Sequence, residues 1–235
     1  VHVDNGLFYY DKDVKPLSDS HTINGVTYSF YEDGQARRGT FGPYGSGPFY
    51  DKVTGAVVRE KGFHQVGGDW YYTDENGNKL LGLQEIDGKL YYLDNTESTS
   101  LVTGYLAKDK VLSPEQKEST RYPRTSSSTI IEPKIYSYYY FDAETGAAVT
   151  NQFVNWKGNW YYFGKDGKAL LFDQVINGQH LYFDYEGKQV KGDFVTDYKG
   201  TRYYDENSGE LVTNQTRTIN GVTYHFDENG RTKQL

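Results

Sequence analysis

Lys157-Gly158-Asn159-Trp160-Tyr161-Tyr162-Phe163-Gly164-Lys165-Asp166-Gly167 is the stretch that decides how this chain folds. Lys157-Gly158 is a two-residue turn, and the run Trp160 to Phe163 favours extended backbone. Gly167 then closes a second turn four residues past Phe163. A strand this short and aromatic, bracketed by two glycine turns, reads as the second half of a β-hairpin.

The same grammar recurs. Aligning each such run on its last residue puts Phe163 in register with Tyr10, Phe30, Tyr50, Thr73, Leu93, Phe141, Phe183, Tyr204 and Phe226. Eight of the nine successive separations lie between 20 and 23 residues, so one supersecondary unit is repeated and the repeat count replaces a domain count. Asn24-Gly25, Gly67-Gly68, Asp87-Gly88, Asn177-Gly178, Lys199-Gly200 and Asn220-Gly221 mark the hairpin turns, where Asn-Gly and Asp-Gly tolerate the positive φ of type I′ geometry. The second turn comes in two lengths, ending at Gly34, Gly77, Gly167, Gly187 and Gly230 or, one residue later, at Gly55, Gly146 and Gly209. A lone hairpin is marginal in water, but stacked hairpins cover one another's apolar faces. The expected fold is all-β, a β-solenoid of about ten short aromatic hairpin repeats.

The ninth separation, 48 residues from Leu93 to Phe141, breaks the pattern. Residues 105–137 hold Pro114, Pro123 and Pro133, a cluster of charges and the polar run Thr125 to Thr129. They admit a degenerate repeat or an insertion; lacking glycine turns and a double-aromatic strand, they are read as an insertion or irregular junction. Residues 1–104 then form a first repeat array and residues 138–235 a second.

Composition narrows the function. Among 235 residues there are 24 Tyr, suited to many small contact surfaces with an apolar ring and a polar tip. A net charge of −7 gives no basic groove to accompany the aromatic rings, which excludes nucleic acid as the expected partner and favours a neutral ligand. The chain has no cysteine, hence no disulfide or thiolate metal site, and no long apolar run of transmembrane type. It begins at Val1 inside what reads as a repeat, with no signal peptide, and is expected to be a fragment of something larger.

Alternation along each strand sets the candidate sites. The residue before the aligned position is Tyr9, Ser29, Phe49, Tyr72, Tyr92, Tyr140, Tyr162, Tyr182, Tyr203 or His225, and seven of the ten are tyrosine. Tyrosine in small repeats packs between hairpins, but a row of them also offers faces to sugar rings, whose C–H faces are apolar and whose edges are polar. The Tyr182 repeat adds Gln189 and Lys191, which share a strand face and can donate to hydroxyls, and it ranks first as a ligand site. Tyr162 with Trp160 ranks second and Tyr72 with Trp70 third; the repeats with Ser29 or His225 suit structural continuity.

Catalysis finds no support in the sequence. Acidic residues sit mostly in turns, with no distinctive carboxylate pair for glycoside cleavage. The five histidines form no metal-binding spacing, no calcium or phosphate loop appears, and no cofactor is expected.

The strings at residues 24–34 and 220–230, Trp70 to Gly77 and Lys157 to Gly167 resemble cell-wall-binding-type repeats, and the tyrosine-rich array as a whole is similar to the C-terminal glucan-binding domain of bacterial glucansucrases. The resemblance covers residues 1–104 and 138–235. It implies a secreted or cell-surface β-solenoid that binds α-glucan such as dextran or isomaltooligosaccharides. Tyrosine stacking with nearby Gln and Lys would form the pockets, with Tyr182, Gln189 and Lys191 the best match. It also implies an adjoining catalytic region that makes glucan from sucrose. Choline-binding relatives would instead hold a quaternary ammonium in an aromatic cage; with only 3 Trp, the sequence leans towards sugar. A structural protein-interaction array is the remaining alternative.

Overall fold

The computed structural model describes residues 2–3, 6–94, 104, 106–114 and 135–234. They fall into two compact units, Val1–Lys108 with Ala143–Ala147, and Asp109–Asp142 with Ala148–Leu235. Among the described residues the strands form ten separate sheets, nine of two strands and one of three, so nothing larger than a hairpin with one added strand is built and each must be stabilised by its neighbours.

In the first unit the strands are β1 (His2–Val3), β2 (Gly6–Leu7), β3 (Asp19–Ile23), β4 (Val26–Phe30), β5 (Thr40–Phe41), β6 (Phe49–Tyr50), β7 (Gly62–Val66), β8 (Asp69–Thr73), β9 (Gly82–Ile86) and β10 (Lys89–Leu93). The second holds β11 (Lys110–Leu112), β12 (Tyr139–Phe141), β13 (Gln152–Trp156), β14 (Asn159–Phe163), β15 (Phe172–Ile176), β16 (Gln179–Phe183), β17 (Asp193–Asp197), β18 (Gly200–Tyr204), β19 (Gln215–Ile219), β20 (Val222–Phe226) and β21 (Thr232–Gln234). Consecutive strands pair antiparallel, and Asn177 (φ 52°) with Gly178 (φ 82°) supplies the left-handed pair of a type I′ turn between β15 and β16.

Stacking is carried by one recurring backbone bond. The segment after each glycine turn donates an N–H to the preceding hairpin: Ala36 to Leu7 O, Val57 to Thr27 O, Ala169 to Tyr138 O, Gln189 to Trp160 O and Leu211 to His180 O, at 2.7–2.8 Å. This satisfies an edge carbonyl that a free hairpin would leave to water. Each repeat therefore touches mainly its sequence neighbours, as expected of a solenoid of hairpins.

The aligned column is the core. Phe141, Phe163, Phe183 and Phe226 are wholly buried, and only Tyr10 at the start of the series is exposed. The tyrosine column is not a continuous exposed face. Tyr72, Tyr92 and Tyr203 are buried and Tyr140, Tyr162 and Tyr182 half-buried; in three hairpins an aromatic on the first strand caps the tyrosine opposite it, Phe63 over Tyr72, Phe153 over Tyr162 and Phe194 over Tyr203, at ring separations of 4.8–4.9 Å. Two residues earlier on the same strands the ring is more open: Trp70 is 37% and Trp160 40% exposed.

Two local features depart from the sequence reading. Leu106 bridges Leu93 as the post-turn segment of that repeat, and β11 pairs with β12, so residues 106–112 take part in two regular repeats. Much of the 105–137 stretch, residues 115–134 with Tyr105, lies outside the described residues. The turn between β17 and β18 consists of Tyr198 and Lys199, since Asp197 pairs with Gly200. The strand running back from Tyr204 is five residues long, so its glycine lies one residue inside it.

Candidate functional site

Trp160, Gln189 and Lys191 meet on the second unit. Trp160 occupies the open position of β14, and the post-turn segment is tied beneath it by Gln189 N to Trp160 O (2.7 Å) and Val190 N to Tyr182 O (2.9 Å). Alternation then turns the side chains of Gln189 and Lys191 to the Trp160 side. Lys191 Nζ lies 5.5 Å from the Trp160 ring centroid. The three line a shallow hollow of about 220 Å³ with Phe153, Gln179, Leu181 and Ser208.

The polar groups are held in place by the following turn. Lys191 Nζ donates to Asn207 O (2.9 Å) and Gln189 Nε2 to Ser208 O (3.2 Å). That turn is itself fixed: Asp205 Oδ1 accepts from Asn207 N and Ser208 N at 2.9 Å, and Arg217 Nη1 donates to Asp205 Oδ2 at 2.7 Å. The Arg217 bond, with the turn's own N–H groups, holds the Asp205 carboxyl well below the usual carboxylate range. Lys191 keeps further N–H donors and Gln189 its carbonyl for a ligand.

Tyr182 belongs elsewhere. It sits opposite Asp173 in the β15–β16 register, its ring 5.7 Å from Tyr204 and 6.2 Å from Phe172, and burial pushes its hydroxyl pKa up. Tyr162 lies behind the hollow, edge-on to Phe153. In the first unit Trp70 is open while Tyr72 is buried against Phe63.

Comparing stacking positions isolates the Trp160 hollow. The next one in the second unit, about 320 Å³, has His180 where Trp160 stood and Leu211 and Thr213 in place of Gln189 and Lys191. The preceding one pairs Tyr138 with Ala169. The first unit repeats the Trp160 arrangement once: Leu106 N donates to Trp70 O, and Lys108 Nζ donates to Glu144 O (2.6 Å) as Lys191 does to Asn207 O. Lys108 was missed in the sequence because it lies 15 residues past Leu93, where Lys191 lies only 8 past Phe183. Its signal was the x-Lys spacing after that strand's partner turn. A wider hollow of about 910 Å³, lined by Asp19, Glu32, Asp33 and Arg37, also has an exposed ring, Tyr31, but the Arg37 guanidinium stacks on it at 3.9 Å.

Among the described residues no group of His, Asp and Glu is placed to hold a metal ion, and no helix is long and apolar enough to cross a membrane. The chain matches the choline-binding repeat family over residues 174–215, and the cell wall binding repeat family over 61–79, 151–169 and 217–231. It is 32% identical to glucosyltransferase-S of Streptococcus mutans, an alignment covering 96% of this chain and 19% of that protein, and 31% identical to glucosyltransferase-I of Streptococcus downei, covering 95% and 17%. The chain thus spans under a fifth of the length of these curated relatives. Choline binding protein F of Streptococcus pneumoniae shares the fold with a TM-score of 0.57 at 22% identity, covering 99% of this chain and 85% of that one. The choline-binding domain of CbpL from the same organism gives 0.56 at 18% identity, covering 93% and 98%.

Proposed function

We propose that this chain, an array of the choline-binding and cell-wall-binding repeat type homologous to a stretch of the streptococcal glucosyltransferases, binds α-glucan without acting on it. The observation that carries the reading is the Trp160 hollow, an open indole face with Lys191 and Gln189 anchored at its edge. An indole covers the C–H face of a glucose ring while the fixed donors meet its hydroxyls. Because those donors are already tied to backbone carbonyls, little side-chain entropy remains to be lost on binding.

One such shallow site binds weakly, about millimolar or ~4 kcal/mol. The Trp70–Lys108 arrangement supplies a second, poorer in donors because Leu106 replaces Gln189. Sites repeated along one polymer raise avidity by roughly 10²- to 10⁴-fold when the chain can span them. That multivalent holding of a dextran-like product at the cell surface is the role assigned to the array beside a sucrose-dependent catalytic region of a longer protein.

The alternative of a choline ligand is disfavoured by Lys191, since a cation already at the Trp160 ring repels a second one. Calorimetric titration of isomaltotriose into the folded chain, with and without excess choline, tests both readings. Saturable binding insensitive to choline is expected, weakened at least tenfold in Trp160→Ala at unchanged melting temperature. Absence of saturable heat with isomaltotriose and dextran alike removes the glucan reading, and displacement by choline replaces it.

A further inference from the structure

Phe172 stands at the start of β15 with φ 61°. The corresponding left-handed positions at other hairpin starts are held by Asp19, Gly39, Gly82, Asp109, Asn151, Gly192 and Asn214, residues that tolerate that conformation. A bulky aromatic does not, and strain retained at one repeat points to a use for its side chain. The Phe172 ring is edge-on to Tyr185 at 5.1 Å and tilted against Tyr182 at 6.2 Å. Tyr185 is 56% exposed, so this ledge is open to solvent.

A rigid polar floor adjoins it. Asp173 accepts from Arg202 Nη1 (2.5 Å), Lys199 Nζ (2.6 Å) and the Tyr204 hydroxyl (3.2 Å), and Arg202 Nη2 reaches Asp197 (2.6 Å). Two carboxylates and two cations cancel, so the floor offers no net charge to an ionic ligand. Lys199 spends one N–H on Asp173, the residue opposite Tyr182, and is partly exposed, leaving further donors there. An apolar ledge of phenyl and phenol rings edged by hydroxyls and an ammonium, electrically neutral as a whole, suits a neutral pyranose.

We propose that Phe172, Tyr182 and Tyr185, rimmed by Lys199, form a second saccharide subsite of the second unit, different in composition from the Trp160 hollow. It takes a neutral hexopyranose of a glucan chain, and it rests on the reading of the array as a glucan binder. The two subsites then belong to one unit, so that unit can engage two points of a polymer.

Hydroxyl-radical footprinting of the whole chain, read by mass spectrometry at Tyr185 and Trp160, resolves the sites. Saturating isomaltotriose is compared with mannitol at equal scavenging capacity. Protection at Tyr185 of at least threefold is expected, persisting in Gln189→Ala/Lys191→Ala and lost in Phe172→Asn, which copies the residue type of Asn151 and Asn214. The Phe172→Asn melting temperature is expected to be equal or higher, which separates lost binding from lost fold. Protection of Trp160 without Tyr185 overturns the subsite and leaves the Trp160 reading standing. Protection of Tyr185 without Trp160 supports the subsite and removes the Trp160 hollow. Protection of neither overturns both.

Discussion

His64 shows how much one side chain in this fold depends on its protonation state. Its ring stacks on Phe49 at 4.4 Å, and its Nε2 lies 2.8 Å from Thr73 Oγ1. The Thr73 hydroxyl donates to Glu60 O (3.0 Å), so His64 Nε2 is the donor to Thr73 and the neutral imidazole fits the site. Burial lowers the imidazole pKa from 6.5 against a weaker opposing pull from Glu60. The unfolded chain therefore takes up the proton first as pH drops. The contribution to stability is complete above about pH 6.5 and declines as the pH falls from there through the folded value. Thermal unfolding at pH 7.5 and 5.5 should show a larger drop for the natural chain than for His64→Gln; equal drops would remove His64 as the cause. Phe172 is the other residue-scale exception, because a left-handed bulky residue costs roughly 1–2 kcal/mol, so its replacement by Asn is expected to leave stability level or raised.

At the scale of the hairpin, stability comes from the buried aligned side chain with the rings packed beside it, and from the bond to the preceding repeat. Phe163 is wholly buried and packs in a cluster with Tyr161 and Ala169. Phe163→Ala should cost about 3–5 kcal/mol in denaturant unfolding, the usual range for a large core aromatic; a loss under 1 kcal/mol would mean the column is not the core of its unit. The β17–β18 hairpin solves the same position differently. Where other hairpins carry Tyr161 or Leu181, it carries Arg202, 5% exposed and bound to Asp173 and Asp197. Burial raises the cost of the Asp173 charge, but the bonds from Arg202 and Lys199 outweigh it and hold its pKa low. Removing Arg202 leaves Asp197 without its cation and Asp173 with only Lys199 and Tyr204, so Arg202→Ala should destabilise by about 3 kcal/mol and Arg202→Ala/Asp173→Ala by less than the sum of the single changes. Additive losses would show that the network is not coupled.

Across the whole chain, the period of 20–23 residues and the glycine turns made the hairpins legible without coordinates, because both turns and strands are local. The sidedness was less so. Alternation put Gln189 and Lys191 on one face, but which ring that face meets depends on a bond reaching back to the previous repeat, from Gln189 to Trp160 rather than to Tyr182. Burial of Tyr72 was hidden for a similar reason, since its cap Phe63 comes from the partner strand. Lys108 was hidden by its unusual distance in sequence from Leu93. These misses concern contacts across strands or between repeats and one irregular length, none of which the regular spacing encodes.

Whether open tryptophans with anchored donors hold an α-glucan polymer at several points can be read from electrophoresis of the native chain through gels containing dextran. The chain should be retarded relative to a reference protein and to gels without polymer. Gln189→Ala/Lys191→Ala should recover part of the mobility, and adding Trp70→Ala more. Migration unaffected by dextran, or equal retardation of the natural chain and the triple variant, would contradict the account.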